Sequence, residues 1–358
     1  MLPKMWQVES VFGDTTQFMR RPTSFDIAAL AGVSQPKVSR ALSGSHSVSD
    51  ATRQRVLDAA EALNYSIDKN ASNLRREASK TLALLFFEDP TPDDSLINPF
   101  YLSMLGSITR TCAQRGYDLL ISFQQLSANW HVDYEDSRKA DGIILLGYGD
   151  YLLYRPRLEQ LVAQGTHFVR WGSANPANPA GQIGTTIGSD NAQGGLDATR
   201  HLLPQGRRRI AFIGTASPQY PEFQERWAGY VAALAEAGLA PDAALQADAI
   251  STEAAGQAAT RQLLETTGFD AIFAASDTIA IGAMRALADA GRLVSRAVAV
   301  VGFDDLPSTS LANPLLTTVM QNPRRAGRIL VETLLQLIEG HAAGNAMLPV
   351  ELVVRGTS

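Results

Sequence analysis

The sequence predicts two joined architectures: a small all-α unit at the amino end and a two-lobed α/β body behind it. Two observations carry this reading. Thr23 to Leu42 form two short helical patterns separated by a glycine turn, and from Thr81 onward strand-sized apolar runs alternate with amphipathic helices. A third observation orients the molecule: residues 1–80 hold 11 Lys+Arg against 8 Asp+Glu, while the remaining 278 hold 20 against 28. The basic excess lies on the helical unit, and the body behind it is acidic.

In the helical unit, Thr23 can cap a first helix, with Asp26 three residues on supplying the reciprocal half of a capping box. Ile27, Leu30 and Ala31 then share one face. Gly32 suits the left-handed residue that ends a helix. Ser34 can cap a second helix, whose first turn tolerates Pro36 because that amide needs no intrahelical partner. Val38, Ala41 and Leu42 point inward, leaving Gln35, Pro36, Lys37, Ser39 and Arg40 outward. A face of amide, hydroxyl and basic groups suits base edges and phosphates; the plainer alternative is any two-helix corner of an all-α domain. Ser49 caps a third helix, Asp50 to Leu63, with the apolar stripe Val56, Ala59, Ala60 and Leu63. After Asn64 and Tyr65 comes the polar run SIDKNASNLRREASK, where Leu74 is the one large apolar side chain after Ile67.

The body reads as strands at TLALLFF (from Thr81), YDLLISF (Tyr117), DGIILLG (Asp141), THFVRW (Thr166), RIAFIG (Arg209), DAIFAAS (Asp270) and AVAVVGF (Ala297). Helices are expected at 99–115, 156–164, 191–203, 222–237, 252–267 and 277–290. Continuous apolar strands alternating with helices imply parallel sheets covered on both faces. This length exceeds one comfortable core, so two lobes follow. Such sheets bind ligands past the carboxyl ends of their strands. There stand Glu88 and Asp89, Arg170 and Trp171, Ser276 and Asp277, and Asp304 and Asp305, joined by Arg226 at the start of a helix.

Composition narrows the class. The chain is 45% hydrophobic and 19% charged, as expected of a water-soluble globular protein, and its apolar runs are far shorter than a membrane span. One cysteine, Cys112, precludes an internal disulfide and fits a reducing cytoplasm; it reads as a small buried hydrophobe. The five histidines lack metal-ligand spacing, and the sequence has no nucleophile elbow, P-loop or GxGxxG element. An enzyme is therefore not expected, nor any cofactor or metal.

The runs DIAALAGVSQPKVSRALSG, VSDATRQRVLDAAEALNY and NASNLRR resemble the lactose-repressor/galactose-repressor (LacI/GalR) family of bacterial transcription regulators, and the pattern continues over nearly the whole chain from about Thr23. The resemblance implies an N-terminal all-α helix-turn-helix headpiece with a hinge helix, followed by an α/β two-lobed, periplasmic-binding-protein-like (type I) effector domain. The corresponding boundaries are an extension over 1–22, a headpiece over 23–66, hinge and linker over 67–80, and an effector and dimerisation domain over 81–358. Within the last, one lobe spans about 81–183 and 320–342, and the other about 184–319 and 343–358. Met19-Arg20-Arg21-Pro22 looks like a natural start, so residues 1–18 are expected to be an upstream extension or a disordered arm.

The resemblance also assigns residues. Gln35, Pro36 and Lys37 become specificity positions and Arg40 a base or phosphate contact. Ser24, Ser34, Ser39, Arg53 and Asn64 touch the DNA backbone, and Thr23, Asn70 and Ala71 are further DNA contacts. Leu74 wedges between base pairs in the minor groove when two hinge helices meet. In the body, ERWAGY matches an Arg-x-x-Gly-aromatic motif whose arginine, here Arg226, reaches ligand hydroxyls. VVGFDD ends on an effector-binding aspartate, Asp304. Gln321 lies on a lobe-crossing segment, Arg170 and Trp171 give a polar and an aromatic contact, and Phe100 and Tyr101 open a helix near the cleft. Ser276 stands where many members have asparagine, so the effector's chemistry is expected to differ from theirs. Asp277 reads as a helix cap or a ligand contact, and Asp305 as a turn carboxylate.

The function expected is a cytoplasmic, nucleoid-associated homodimeric repressor. It would read a near-palindromic operator and be controlled by a small molecule, a sugar by family habit. The stripe Ala326-Ile329-Leu330-Leu334-Leu337 serves either the lobe core or the dimer seam. The alternative is a two-lobed sugar-binding protein with no part in gene control.

Overall fold

The computed structural model describes residues 22–42, 45, 47–63, 65, 78–86, 97–123, 128–147, 149–176 and 183–358. Asn64, Asn70, Ala71, Leu74, Glu88, Asp89 and residues 1–18 lie outside the described residues. The chain divides into two compact units between residues 77 and 78.

Among the described residues the first unit holds three helices: α1 (Ser24–Ala31), α2 (Gln35–Leu42) and α3 (Asp50–Ala62). The Asp26 carboxylate accepts the Thr23 amide at 2.6 Å and the Thr23 hydroxyl at 2.7 Å, so this capping pair starts α1. Gly32 ends it at φ 64°, ψ 38°, a conformation in which a Cβ would clash. Ile27, Val38 and Val56, one from each helix, are fully buried against one another with Ala28, Ala31, Ala41, Ala59 and Ala60. Leu30 departs from expectation. It is 57% exposed, and Ala28 takes the inward place, because three helices this short close around small side chains. Ser49 differs too: its hydroxyl donates to Thr52 Oγ1 at 3.0 Å rather than capping an amide of α3.

Among the described residues the second unit contains two six-stranded sheets. Its elements run β1 (Thr81–Phe86), α4 (Pro99–Gln114), β2 (Asp118–Phe123), β3 (Gly142–Leu146), α5 (Tyr151–Ala163), β4 (Phe168–Trp171), β5 (Thr185–Ser189) and α6 (Asn191–Leu202). They continue with β6 (Ile210–Ile213), α7 (Pro221–Glu236), β7 (Gln246–Ala247), α8 (Glu253–Thr266), β8 (Ala271–Ala274), α9 (Asp277–Asp289) and β9 (Ala299–Asp304). Last come β10 (Thr317–Met320), α10 (Pro323–Ile338), β11 (Ala346–Leu348) and β12 (Glu351–Val353). One sheet has the order β11-β5-β4-β3-β1-β2 and the other β12-β10-β9-β8-β6-β7. Every described pairing is parallel except β10 with β12.

Alternation along β1 shows how the first sheet is covered on both faces. Leu82, Leu84 and Phe86 pack with α4 and α10, whereas Ala83 and Leu85 pack with Tyr151, Leu158 and Leu161 of α5. Ala326, Leu330 and Leu334 of the α10 stripe enter that first core, with Ile329 packed against it.

The lobe boundaries fall later than expected. β5 and β11 both belong to the first sheet, which moves the crossings from 183 and 342 to the segments after Ser189 and Leu348. TTIGS has one large apolar residue, Ile187, and β11 has three residues, so neither carries a strand signal of its own. Helix α5 also starts earlier than Pro156 suggested. The Asp150 carboxylate accepts the Leu152 amide at 2.9 Å and nucleates the helix five residues upstream.

Candidate DNA-reading face and effector cleft

On α2, burial of Val38 and Ala41 leaves Pro36, Lys37 and Arg40 exposed, with Gln35 and Ser39 half-buried. Gln35 is braced rather than free: its Nε2 donates to Ser24 Oγ at 3.3 Å, tying the first turn of α2 to that of α1. Arg53 does not stand outward either. Its Nη2 donates to the Ser45 carbonyl at 2.8 Å, holding the segment between α2 and α3. The exposed cations on this face are therefore Lys37 and Arg40, and Arg40 Nε also reaches the Pro36 carbonyl one turn back at 3.3 Å. Ser34 accepts the Lys37 and Val38 amides through its carbonyl, which fixes the entry to α2.

In the body, the sheets place their strand ends on one cleft, and the residues gathered there are almost all buried. Arg226 is fully buried on α7. Its Nε donates to Asn191 Oδ1 at 2.9 Å and its Nη1 donates to the Ala275 carbonyl past β8. The guanidinium lies 3.7 Å from the Phe303 ring centroid and 3.8 Å from Asp304 Oδ1. The Arg-x-x-Gly spacing has a packing reason. A Cβ on Gly229 would sit 2.0 Å from the Ala192 carbonyl oxygen, and one on Gly195 2.1 Å from that of Arg226. Only glycines let α6 and α7 approach closely enough for Asn191 to clamp Arg226.

Asp304 ends β9 with φ 120°, followed by Asp305 at φ 55°. Non-glycine residues held there cost on the order of 1–3 kcal/mol each and persist where their surroundings fix them. Gln321 donates Nε2 to Asp304 Oδ1 at 2.6 Å, and Arg355 pairs with Asp305 at 2.6 Å. Asp304 Oδ2, buried alike, finds no donor among the described residues. Burial pushes the Asp304 carboxyl up to about 7, against the opposing pull of Arg226 and the Gln321 hydrogen bond.

Asp277 is not the cap of α9. Its oxygens accept the Thr318 hydroxyl at 2.6 Å and the Leu306 amide at 2.8 Å, so it holds the turn that presents Asp304. Burial, and then the charge of Asp304, raise it well above the usual carboxylate range. Ser276 takes the cap of α9, accepting the Ile279 amide at 3.4 Å. Its hydroxyl also bonds Ser251, which accepts from Asn98 of the other lobe at 3.2 Å. A residue expected to touch ligand is thus committed to the helix and to a bridge between lobes. Phe100 and Tyr101 sit in the first-lobe core, where Phe100 buttresses Trp171 at 5.8 Å between ring centroids.

Sequence reasoning missed four members of the cleft: Glu222, Glu225, Asn191 and Ser173. Glu225 accepts Ser173 Oγ from across the lobes and Asn191 Nδ2 at 3.2 Å. Burial pushes its carboxyl up to about 7, Ser173 opposes this, and the Glu222 charge adds to it. Glu222 is raised by burial as well, opposed by backbone amides, Arg170 and Arg226. Arg170 is buried with its guanidinium 5.2 Å from the Tyr151 ring centroid. A signal existed for the acids: Glu222, Glu225 and Arg226 are spaced to share one helix face. Asn191 had none, because the strand preceding it was not legible.

A braced helical reading face and a two-lobed receptor with a buried polar cleft define a DNA-binding regulator governed by a small molecule. Residues 25–68 match the profile of bacterial regulatory proteins of the lacI family, and residues 199–358 that of a periplasmic binding protein-like domain. The HTH-type transcriptional regulator CelR of Thermobifida fusca is 34% identical over 341 residues, covering 94% of this chain and 96% of that protein. The transcriptional repressor CytR of Escherichia coli K12 is 31% identical over 343 residues, with the same coverage of each. Among solved structures, the CelR–cellobiose complex superposes with a TM-score of 0.70 at 31% identity, over 94% of this chain and 100% of that one. The Lac repressor dimer bound to operator and the anti-inducer ONPF gives 0.80 at 27%, over 94% and 99%. The chain belongs to the lacI family of bacterial regulatory proteins. It is a transcriptional regulator and not an enzyme, which sets aside the reading of a receptor body without gene control.

Proposed function

We propose that this protein is a cytoplasmic repressor that binds a near-palindromic operator as a homodimer and is switched by a neutral carbohydrate in the cleft between its lobes. The observation that carries the reading is the second oxygen of Asp304, buried and without a donor among the described residues, beside a clamped guanidinium. Carboxylate and guanidinium together offer an acceptor and a donor to adjacent hydroxyls. The relatives support the class: one solved complex holds cellobiose, and another is a dimer on operator. Among the described residues no helix is long and apolar enough to cross a membrane. Leu102 on α4 and Leu120 and Ile121 on the edge strand β2 are exposed apolar side chains, which supports pairing through this lobe.

On DNA, α2 enters the major groove with Gln35, Pro36 and Lys37 nearest the bases, while Thr23, Ser24, Ser34, Ser39, Arg40 and Asn64 face sugar and phosphate. Asn70, Ala71 and Leu74 follow in the minor groove, where an inserted leucine costs a few kcal/mol of unstacking and is repaid by the bend. Arg226, Asp304 and Gln321 hold the ligand and Arg170 and Trp171 border it, with Phe100, Tyr101 and Ser276 in support. Ligand shifts operator affinity because it binds one arrangement of the lobes more tightly. Fluorescence anisotropy with a fragment of the protein's own promoter tests this: titrating neutral sugars should move the binding curve. A curve that no sugar moves defeats the carbohydrate reading, and no preference over random DNA defeats the operator reading.

A further inference from the structure

Gln35 opens α2 with its side-chain amide already engaged: Nε2 donates to Ser24 Oγ at 3.3 Å, across the turn between α1 and α2. We infer that Ser24 determines operator specificity through this contact. It occupies one amide hydrogen of Gln35 and leaves a one-donor, one-acceptor edge that takes adenine and rejects guanine. The inference rests on the operator reading above and extends it to the identity of a base.

Both ends of the contact stand on fixed backbone. Ser24 begins α1 directly after Thr23, whose amide and hydroxyl the Asp26 carboxylate holds at 2.6 Å and 2.7 Å. Gln35 begins α2, where the Lys37 and Val38 amides close onto the Ser34 carbonyl at 2.9 Å and 3.1 Å. Between them the Val33 amide returns to the Ala28 carbonyl at 3.0 Å, around the left-handed Gly32. Ile27 and Val38, each three residues past one end of the contact, are fully buried in the same core, so neither helix can slide to break it. Ser24 and Gln35 are themselves half-buried. Rotamer freedom that a glutamine would otherwise lose on meeting DNA is thus lost on folding.

A glutamine amide has two N–H donors and one acceptor oxygen. In the major groove adenine offers the N7 acceptor beside the N6 amine, whereas guanine offers two acceptors, N7 and O6. An unrestrained amide can serve either purine, with one N–H and Oε1 for adenine or with both N–H groups for guanine. Once Ser24 holds one N–H, a single donor remains beside Oε1. That pair fits N7 and the N6 amine of adenine, and it sets Oε1 against O6 of guanine, leaving both acceptors without a donor. The exposed cations beside it, Lys37 and Arg40, are donors only and cannot accept from the adenine amine. Ser24 Oγ accepts in this contact, so its own hydrogen can still reach a phosphate.

Selection from a library of short duplexes with randomised palindromic half-sites, using the full-length protein and sequencing the bound DNA, tests this. Gln35→Ala marks the position that Gln35 reads, as the one whose preference it abolishes. Wild type should enrich adenine over guanine there on the order of tenfold or more. Ser24→Ala should bring that ratio toward one while the base preferences at the other positions persist, and Ser24→Thr, which keeps the hydroxyl, should restore it. Alanine at Ser24 removes no apolar packing, and a thermal melt checks that the headpiece is folded. A Ser24 that only supports the fold or a phosphate would weaken binding to all sequences alike, and that result overturns the inference. Guanine at the Gln35 position of wild type overturns it too, because Ser24 would then be the donor and both amide hydrogens would face the groove. Enrichment of no half-site at all defeats the operator reading first, and this inference with it.

Discussion

Gln321, on the segment that leaves the second lobe for the first, donates its side-chain amide to Asp304 Oδ1 at 2.6 Å. One carboxylate oxygen is thereby fastened to a lobe crossing, and the other meets no donor among the described residues. Whatever engages Asp304 also engages the hinge.

Asp304→Asn separates binding from folding. The amide is isosteric and can still meet Gln321, so the fold should survive. Effector response, read as the sugar-dependent change in operator affinity, should be lost while operator affinity itself remains. A normal response in this variant would remove Asp304 from the site.

The same substitution tests a pH dependence whose sign is unusual for a carboxylate. Burial holds the Asp304 carboxyl up at about 7 in the fold, against an ordinary value of 3.8. Between those limits the folded chain holds the extra proton, so its stability rises as pH falls from about 7 toward 4 and is lost on ionisation. Relative to Asp304→Asn, wild type should gain up to roughly 1.4 kcal/mol per pH unit in that window. Urea denaturation of both proteins from pH 5 to 8 measures it; parallel curves would contradict the burial of this charge.

Gly229→Ala should be among the most damaging single-methyl changes. Its Cβ would meet a backbone carbonyl rather than a flexible side chain, so relief requires α6 and α7 to part. A loss of about 3 kcal/mol or more is expected from overpacking of this kind, with effector binding weakened because Asn191 no longer clamps Arg226. A loss under 0.5 kcal/mol in thermal or urea unfolding would show that the helices are not so closely set.

Lys37→Ala probes the reading face. The side chain is exposed, so stability should change by less than about 0.5 kcal/mol, while operator affinity falls on the order of tenfold. Gel-shift titration beside a thermal melt checks both halves.

Cys112 should be inert in the native protein. Burial pushes its thiol up to about 11, which leaves little thiolate to react. Labelling by a thiol reagent at neutral pH should follow the unfolding rate; rapid modification of folded protein would refute its burial.

Much of this was legible in one dimension because it rests on local periodicity. Capping at Thr23, the left-handed turn at Gly32, the inward Val38 and the apolar strands of both sheets are set by residues a few positions apart. Leu30 shows the limit: its spacing fits the buried face, yet a three-helix core this small has no room for it. The cleft divided in the same way. Arg226 and Asp304 stand out by residue type at strand and helix ends, while Gln321 was pointed to by the family resemblance alone. Glu225, Asn191 and Ser173 matter because the chain crosses between lobes after a strand with almost no apolar signal.

Taken alone, the order of residues determined the class of the molecule: a cationic helical reader ahead of a doubly covered α/β receptor, with an arginine and an aspartate for the ligand. Tertiary structure decided the rest. It assigned Ser276 to a cap, Asp277 to a strut, and brought Glu222 and Arg170 from separate lobes to one cleft. The physical reason is that partners for buried charges are chosen across the fold, over sequence distances that no local pattern encodes.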